Sequence, residues 1–540
     1  MNTTVASQFE VAAQRWPDLP FVCVLPETAS IYSIDAGEQT YGALQQRVIA
    51  LRAQYRSAGY GYGHRVGLLL ENRPAFFLHW FALNGLGVSV VPINADLRAA
   101  ELEYLIGHSE IALVVALASR HEALRAAALA AGRPLALMGD GDEPPIALFG
   151  ALQAGQIPDE LSECALLYTS GTTGRPKGCV LQNRYYLHAA RWYARLGGLV
   201  ALRQGRERMV TPLPLVHMNA MAFSAIAMVL TGGCLIVLDR FHPGSWWANV
   251  RDSRATVVHY LGVMPAMLMK AAAQAEDTRH SVRFGFGAGV DKALQAPFEK
   301  RFNFPLLEAW AMTETGAGAA VIENDEPRRV GTSCFGREEP DVLIRVVVDS
   351  GDEAGIDEPG ELWAKHAGED PRYGFFERYL KDTAATDEAW AGGWFHTGDI
   401  VSRDAQGMLH FMDRRKNVIR RSGENISAVE VESVLNQFAE IQVSAVAAVP
   451  DEVRGDEVLA CVVTHKPTPA ALQAALATRL VEHALSRLAY YKVPGYVAFV
   501  EALPLTASQK IQRGELKTLA HSLPAQAHCI DTRSMKKRQA

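Results

Sequence analysis

A chain of 540 residues is too long for one ordinary hydrophobic core, so length alone predicts two or more domains. With 49% apolar and 21% charged residues the composition is that of a soluble globular protein, and a formal charge of −6 gives no basic field for nucleic acid or an anionic membrane. Seven scattered cysteines without a Cys-x-x-Cys pair argue for reduced thiols in a cytosol and against a zinc cage or disulfide framework.

Residues 1–16 lack a basic region followed by an apolar block, so a secretory signal is not expected. Residues 65–94 read as an α/β unit: an apolar strand at 66–70, Asn72 as a cap, Pro74 in the first helical turn, a helix at 75–86 closed by Gly87, and a second buried strand at 88–91. Such a unit predicts a parallel sheet covered on both faces. A weaker repeat follows, with a helix at 101–107 and a strand at 111–116, and the Ala-, Gly- and Pro-rich stretch 127–158 reads as a variable surface connection. The longest uncharged stretch, 220–238, is long enough at about 20 residues to span a bilayer. Thr231-Gly232-Gly233 breaks it, so it reads as a buried helix turning into a strand at 234–238.

Between these lies Leu166 to Gly178, Leu-Leu-Tyr-Thr-Ser-Gly-Thr-Thr-Gly-Arg-Pro-Lys-Gly. An apolar run ending in hydroxyls, three glycines and two cations suits a loop whose backbone N–H groups approach a polyanion closely, and points to a nucleotide triphosphate. A Walker loop reads Gly-x-x-x-x-Gly-Lys-Ser/Thr, whereas Arg175-Pro176 precede Lys177 here and Gly178 follows it. The stretch instead resembles the signature loop of the adenylate-forming superfamily, the acyl- and aryl-CoA synthetases, luciferases and adenylation domains. The resemblance runs from about residue 10 to 517 through five ordered motifs. Within the superfamily, the Ser253-Arg-Ala-Thr256 region and the Asp-Arg-Arg element at 413–415 are similar to crotonobetaine/carnitine–CoA ligase-like carboxylate–CoA ligases.

The resemblance implies roles. Thr169, Ser170, Gly171, Thr172, Thr173, Gly174 and Lys177 would hold the β- and γ-phosphates of ATP. Leu213-Pro-Leu-Val-His-Met-Asn219 stands where the family places an aromatic or histidine beside the acyl pocket and the pantetheine tunnel. His217 and Asn219 replace the aspartate that amino-acid-activating domains usually carry nearby, which implies a plain carboxylic acid. Asn219 would meet a polar substituent of that acid or bond to local backbone. Gly287, Ala288 and Gly289, in the glycine-rich strand end from Phe284, would line the acyl and adenine pockets, with His217, Met218, Asn219, Met221, Phe286 and Val290 as the acyl wall.

Glu308-Ala-Trp-Ala-Met-Thr-Glu-Thr-Gly316 resembles the family's Tyr-Gly-x-Thr-Glu motif, with Trp310 for the usual tyrosine and Ala311 for the usual glycine. Trp310 would stack near adenine, Thr313 would bond the α-phosphate, and Glu314, with Thr172, would carry Mg²⁺, a hard cation that takes one or two carboxylates beside phosphate and water. Asp399 in Trp394-Phe-His-Thr-Gly-Asp399 would accept both ribose hydroxyls, since an ionised carboxylate offers two acceptor oxygens and no donor. In the stretch 413–427, Arg414 would reach ribose or phosphate, Lys416 would be a pivot, and Gly423 and Glu424 would serve the CoA side. Pro504-Leu-Thr-Ala-Ser-Gln-Lys-Ile511 resembles the catalytic-lysine loop, with Lys510 as the lysine and Gln509 where glycine is usual.

The fold so implied is α/β, a large N-terminal domain of parallel α/β sheets plus a distorted β-barrel, with a small mobile α+β C-terminal domain. Its expected parts are a core at 1–412, a hinge at 413–416, a mobile domain at 417–520 and a loose tail at 521–540. The implied activity is ATP-dependent ligation of a carboxylic acid to CoA through an acyl-adenylate, with ATP, Mg²⁺ and coenzyme A, in a cytoplasmic protein that is a homodimer by family expectation. The other readings are an adenylating enzyme that loads a carrier protein in trans and a non-catalytic nucleotide-binding regulator.

Overall fold

A computed structural model describes the chain except residues 1–2, 98, 152, 154, 170–175, 415–416, 422–423, 452–454, 489, 506–509 and 537–540, and gives the backbone alone at 420, 424, 425 and 455. The α/β unit read from the sequence is present. Strand Arg65–Leu69 pairs in parallel with Ser89–Pro92 and with Leu113–Ala116, at the middle of a seven-stranded sheet. Helix Pro74–Asn84 between the first two strands is buried at every position, which its apolar circumference requires. Phe77 packs 5.3 Å from Phe21 of a second, eight-stranded sheet, and Trp80 lies 5.3 Å from Tyr186 of helix Asn183–Arg195.

Asn72 does not cap this helix; Arg73 occupies the cap position without a side-chain bond. The Asn72 amide instead donates to the carbonyls of Leu213 (3.1 Å) and Leu238 (2.7 Å), and its carbonyl accepts from the Leu215 N–H at 2.9 Å. A buried amide can satisfy three strand-end groups that no ladder reaches, and that outweighs a surface cap. The connection at 127–158 is more ordered than expected, since helix His121–Ala130 leads to strand Ala136–Met138, which pairs with Leu113–Ala116. The uncharged stretch forms the π-helical segment Asn219–Ile226, helix Ala227–Thr231 and strand Cys234–Val237, with Gly232 in the left-handed region at the turn. Among the described residues no helix is long and apolar enough to cross a membrane.

The expected barrel takes the form of a five-stranded antiparallel sheet in the order Cys334–Gly336, Leu409–Arg414, Phe395–Arg403, Gly360–His366, Val342–Val347. A further sheet follows, built from Ile419–Arg421, Glu424–Ile426, Ile441–Asp451, Gly455–Thr464, Tyr496–Phe499 and Cys529–Asp531. Helices Ala428–Asn436 and Ala470–Leu485 share one apolar cluster with it, and helix Arg513–Ser522 shares another. The segment expected as a loose tail therefore supplies a strand, Cys529–Asp531, antiparallel to Tyr496–Phe499. Its few apolar residues gave no sign of this because backbone pairing needs none.

Replacing Asn72 strands three buried backbone groups, at about 1–3 kcal/mol each. Asn72→Ala is expected to lower the calorimetric unfolding temperature of the N-terminal core and to cut activity by loosening 213–217. A variant that melts with wild type would contradict the account of Asn72.

Candidate active site

Strands Glu163–Thr169 and Lys177–Gln182 run antiparallel, with Thr169 and Lys177 directly opposite each other at the open end. Ser170, Gly171, Thr172, Thr173 and Gly174 between them lie outside the described residues. At the feet of this loop sits Glu314, a buried carboxylate. Its Oε1 accepts from the Thr169 hydroxyl at 3.2 Å and from the Tyr379 hydroxyl at 3.1 Å, and the Cys179 thiol lies 3.7 Å away. The Lys177 ammonium stands 4.7 Å from the centre of the Tyr379 ring. Tyr185 holds the backbone carbonyl of Thr313 at 2.9 Å, so Thr313 and Glu314 are fixed beside the loop from two directions.

A second group gathers where the eight-stranded sheet meets the antiparallel one. Asp399 and Arg414 are cross-strand partners, and Trp310 ends strand Leu306–Trp310. The Trp310 indole N–H donates to Asp399 Oδ2 at 2.9 Å. Arg414 Nε lies 3.1 Å from Oδ1, close enough for an ion pair but without the alignment of a hydrogen bond. Burial pushes the Asp399 carboxyl up, opposed by Arg414 and then by the indole. The tryptophan thus makes a contact that its place in the motif did not indicate, and one carboxylate oxygen keeps acceptor capacity toward a hydroxyl.

The third group joins residues nearly 300 positions apart in the chain. Burial, then the Lys510 ammonium, pushes His217 down to about 4, so it is neutral at pH 7. Burial, then the Arg414 charge, lowers Lys510 from the usual lysine value. Both residues are nevertheless exposed at the surface of the ligand-free chain. His217, Lys510 and Arg414 thus lie close enough for charge on one to act on the next, although Lys510 comes from the far end of the chain. Ser433 bonds Asp291 at 2.8 Å and Lys270 bonds the Gln442 carbonyl at 3.3 Å across the boundary between the large and small domains. The buried Asp413 carboxylate accepts from the Ser427 hydroxyl at 3.0 Å and the Val429 N–H at 3.3 Å, fastening the small domain's first helix to the strand before it. Lys416, Gly423 and Gln509 lie outside the described residues, and Glu424 is described by its backbone alone.

Met218, Met221, Phe286 and Val290 are buried, and Ala288 and Gly289 are exposed at the strand end beside them. The carbonyl oxygen of Asn219 lies 2.9 Å from His259 Nδ1, which also lies 2.8 Å from the Ser224 hydroxyl. The His259 ring stacks on Phe286 at 4.9 Å, Tyr193 stacks on the same ring at 4.5 Å, and burial pushes His259 down to about 3, leaving it neutral. Glu308, quoted within its motif but given no role there, accepts from the N–H groups of Gly289 (2.8 Å) and Val290 (3.1 Å) and from the Tyr260 hydroxyl (2.8 Å). Burial pushes its carboxyl up to about 7. His259, Tyr193, Tyr260 and Tyr379 carry no motif, and only the three-dimensional pairing reveals them.

The family model for the AMP-binding enzyme matches residues 9–373, and that for the AMP-binding enzyme C-terminal domain matches 430–510. The chain belongs to the AMP-binding enzyme family. Among its relatives, the crotonobetaine/carnitine–CoA ligase of Citrobacter koseri is 30% identical over 527 residues, 93% of this chain and 98% of the relative. The ligase of that name from Salmonella typhimurium strain LT2 is 29% identical over the same length and coverage. Two solved family structures share the fold. The o-succinylbenzoate CoA synthetase of Bacillus subtilis with its acyl-adenylate intermediate has a TM-score of 0.78 and 23% identity, covering 96% of this chain and 98% of its own. ATP-bound MatB of Rhodopseudomonas palustris has a TM-score of 0.79 and 23% identity, covering 97% and 99%.

Trp310→Phe keeps an aromatic ring and deletes the donor to Asp399. The KM for ATP is expected to rise about tenfold, the value of one hydrogen bond to a charged group, with kcat nearly unchanged. Losing a donor raises the Asp399 pKa further, so on the acid side the variant's KM should climb at a higher pH than that of wild type. Pyrophosphate release measured between about pH 5 and pH 8 reads both effects.

Proposed function

We propose that this chain activates a carboxylic acid with ATP and passes it to coenzyme A, both steps taking place at the cleft where Lys510, His217 and Arg414 meet. It is an AMP-forming acid–thiol ligase. The influence of Lys510 on His217 and of Arg414 on Lys510 supports the reading, because a lysine from the small domain acting near a ribose-type site on the large one would produce it.

A free carboxylate is a poor electrophile, since its leaving group would be oxide. Its oxygen attacks the α-phosphorus of ATP, the bond to the β-phosphate oxygen breaks, and pyrophosphate departs. Negative charge spreads over the phosphate oxygens in the transition state, so positioning and cations supply most of the catalysis. Lys510 bridges the carboxylate and the α-phosphate, Thr313 holds that phosphate, and the loop from Thr169 to Lys177 holds the other two. Asp399 and Arg414 take the ribose, with Trp310 beside the base. Glu314, a single hard oxygen donor at the foot of the loop, fits Mg²⁺ and would hold it with Thr172. When bound, the ion supplies charge neutralisation to the departing pyrophosphate. His217 stays neutral and closes the acyl pocket without adding a positive charge beside Lys510.

In the second step the CoA thiolate attacks the acyl carbonyl and AMP leaves. Lys510 then stands where the thiol must arrive. The small domain, residues 417–520, swings about the hinge at 413–416 with Lys416 as pivot, and brings Gly423 and Glu424 to the pantetheine channel. The acid has an apolar body, matching Met218, Met221, Phe286 and Val290, and the relatives named for crotonobetaine and carnitine make a small betaine-type acid the first to try. Seven free cysteines, six of them buried, suit a cytoplasmic setting.

The test incubates purified protein with ATP, Mg²⁺ and CoA and, in turn, butyrate, cyclohexanecarboxylate, benzoate, crotonobetaine and carnitine. Pyrophosphate and a CoA thioester in equal amounts are expected for at least one acid. Pyrophosphate without a thioester would contradict CoA as the acceptor, and ATP binding without pyrophosphate for any acid would contradict ligation.

A further inference from the structure

The small domain ends in an arrangement that the mechanism above does not use. After strand Cys529–Asp531, Thr532 bonds the Gly495 carbonyl through its N–H (2.9 Å) and the Pro494 carbonyl through its hydroxyl (2.8 Å). One short turn later the Lys536 ammonium reaches Glu457 Oε1 at 2.5 Å. The other oxygen of Glu457 accepts from Arg421 Nε at 2.9 Å. The side chains of Lys536, Glu457 and Arg421 are 1%, 0% and 3% exposed, so one carboxylate is shared by two cations in the interior of the domain. Burying three ionised groups is costly and adds little net stability, but it fixes geometry strongly once the groups are paired.

Arg421 belongs to the hairpin formed by strands Ile419–Arg421 and Glu424–Ile426, and it pairs with Gly455 on the strand that carries Glu457. Ile419 and Ile426 of the hairpin pack in the same apolar cluster as Ile530 and Met535 of the C-terminal segment. Leu505 and Ile511, which flank the Lys510 loop, belong to a different cluster together with helix Arg513–Ser522. The hairpin and the catalytic-lysine loop thus draw on different packing; the C-terminal strand touches both, Cys529 on the lysine loop's side and Ile530 on the hairpin's, while Lys536 shares Glu457 with Arg421 of the hairpin.

We infer that Lys536 is a positioning residue: through Glu457 and Arg421 it holds the 419–426 hairpin for thioester formation while leaving adenylation untouched. This rests on the two-step reading proposed above. Lys536→Met in the full chain tests it. That change leaves Glu457 paired one to one with Arg421, whereas Glu457→Gln would leave two buried cations without their carboxylate and endanger folding.

Two readouts apply. By hydrogen exchange, amides 417–426 of the variant should exchange about tenfold faster than in wild type, the scale of one lost charge-assisted bond, with amides 505–512 unchanged. With the acid that gives most thioester, ATP–pyrophosphate exchange should match wild type while acyl-CoA formation from preformed acyl-adenylate falls about tenfold, and Lys536→Arg should restore it. Unchanged hairpin exchange, or equal loss of both half-reactions, would overturn the inference. Failure of the ligase reading would show separately, as a wild type that makes no thioester, and the exchange readout would still stand.

Discussion

Lys510 and Arg414 set two positive charges within reach of one another, and Asp399 pairs with only one of them, Arg414. Like charges raise each other's energy unless an anion lies between them, and the Lys510 pKa is lowered first by burial and then by the Arg414 charge. A carboxylate and an α-phosphate are the anions that such a pair draws in, and they repel each other unless cations are already in place. Neutral His217 limits the positive charge to what two anions can absorb. In the proposed mechanism the lysine comes from the small domain, so closing that domain would assemble the charge and opening it would remove the lysine from the path of the thiol.

Around this encounter one device recurs: a buried polar side chain ties down the backbone of a loop that carries site residues. Glu308 holds the N–H groups of Gly289 and Val290, Asn72 holds both sides of the segment before His217, and Tyr185 holds the Thr313 carbonyl. Glu314 works the other way round, accepting from hydroxyls at the loop's foot. Loops that approach a ligand closely have few ladder partners, and buried side chains that replace them keep the donors aimed without reorganisation when charge develops. Glycine makes the approach feasible: a Cβ on Gly262 would fall 1.6 Å from the Gly289 carbonyl oxygen, and one on Gly287 would fall 2.3 Å from that of Tyr260.

What the sequence revealed divides along physical lines. The helix 74–84 was legible because an apolar circumference has one meaning, and the family because its motifs stand in order along the chain. Asn72 was misplaced as a cap because a local rule was applied where a long-range one operates. The Asn219–His259 and Trp310–Asp399 contacts join residues 40 and 89 positions apart, so neither has a local signature. The C-terminal segment was misread for a related reason, since its order comes from backbone pairing and a buried ion cluster and not from apolar content.

In the proposed mechanism a single lysine is needed for the first step and must be absent from the second. The direct measurement compares both half-reactions in Lys510→Ala, using the acid that wild type turns over best. Acyl-adenylate formation should fall by about 10² or more, as when a preorganised charge-stabilising donor is removed, while thioester formation from supplied acyl-adenylate continues near the wild-type rate. Equal loss of both would contradict the account, because it would make Lys510 a part of the fold or of both steps.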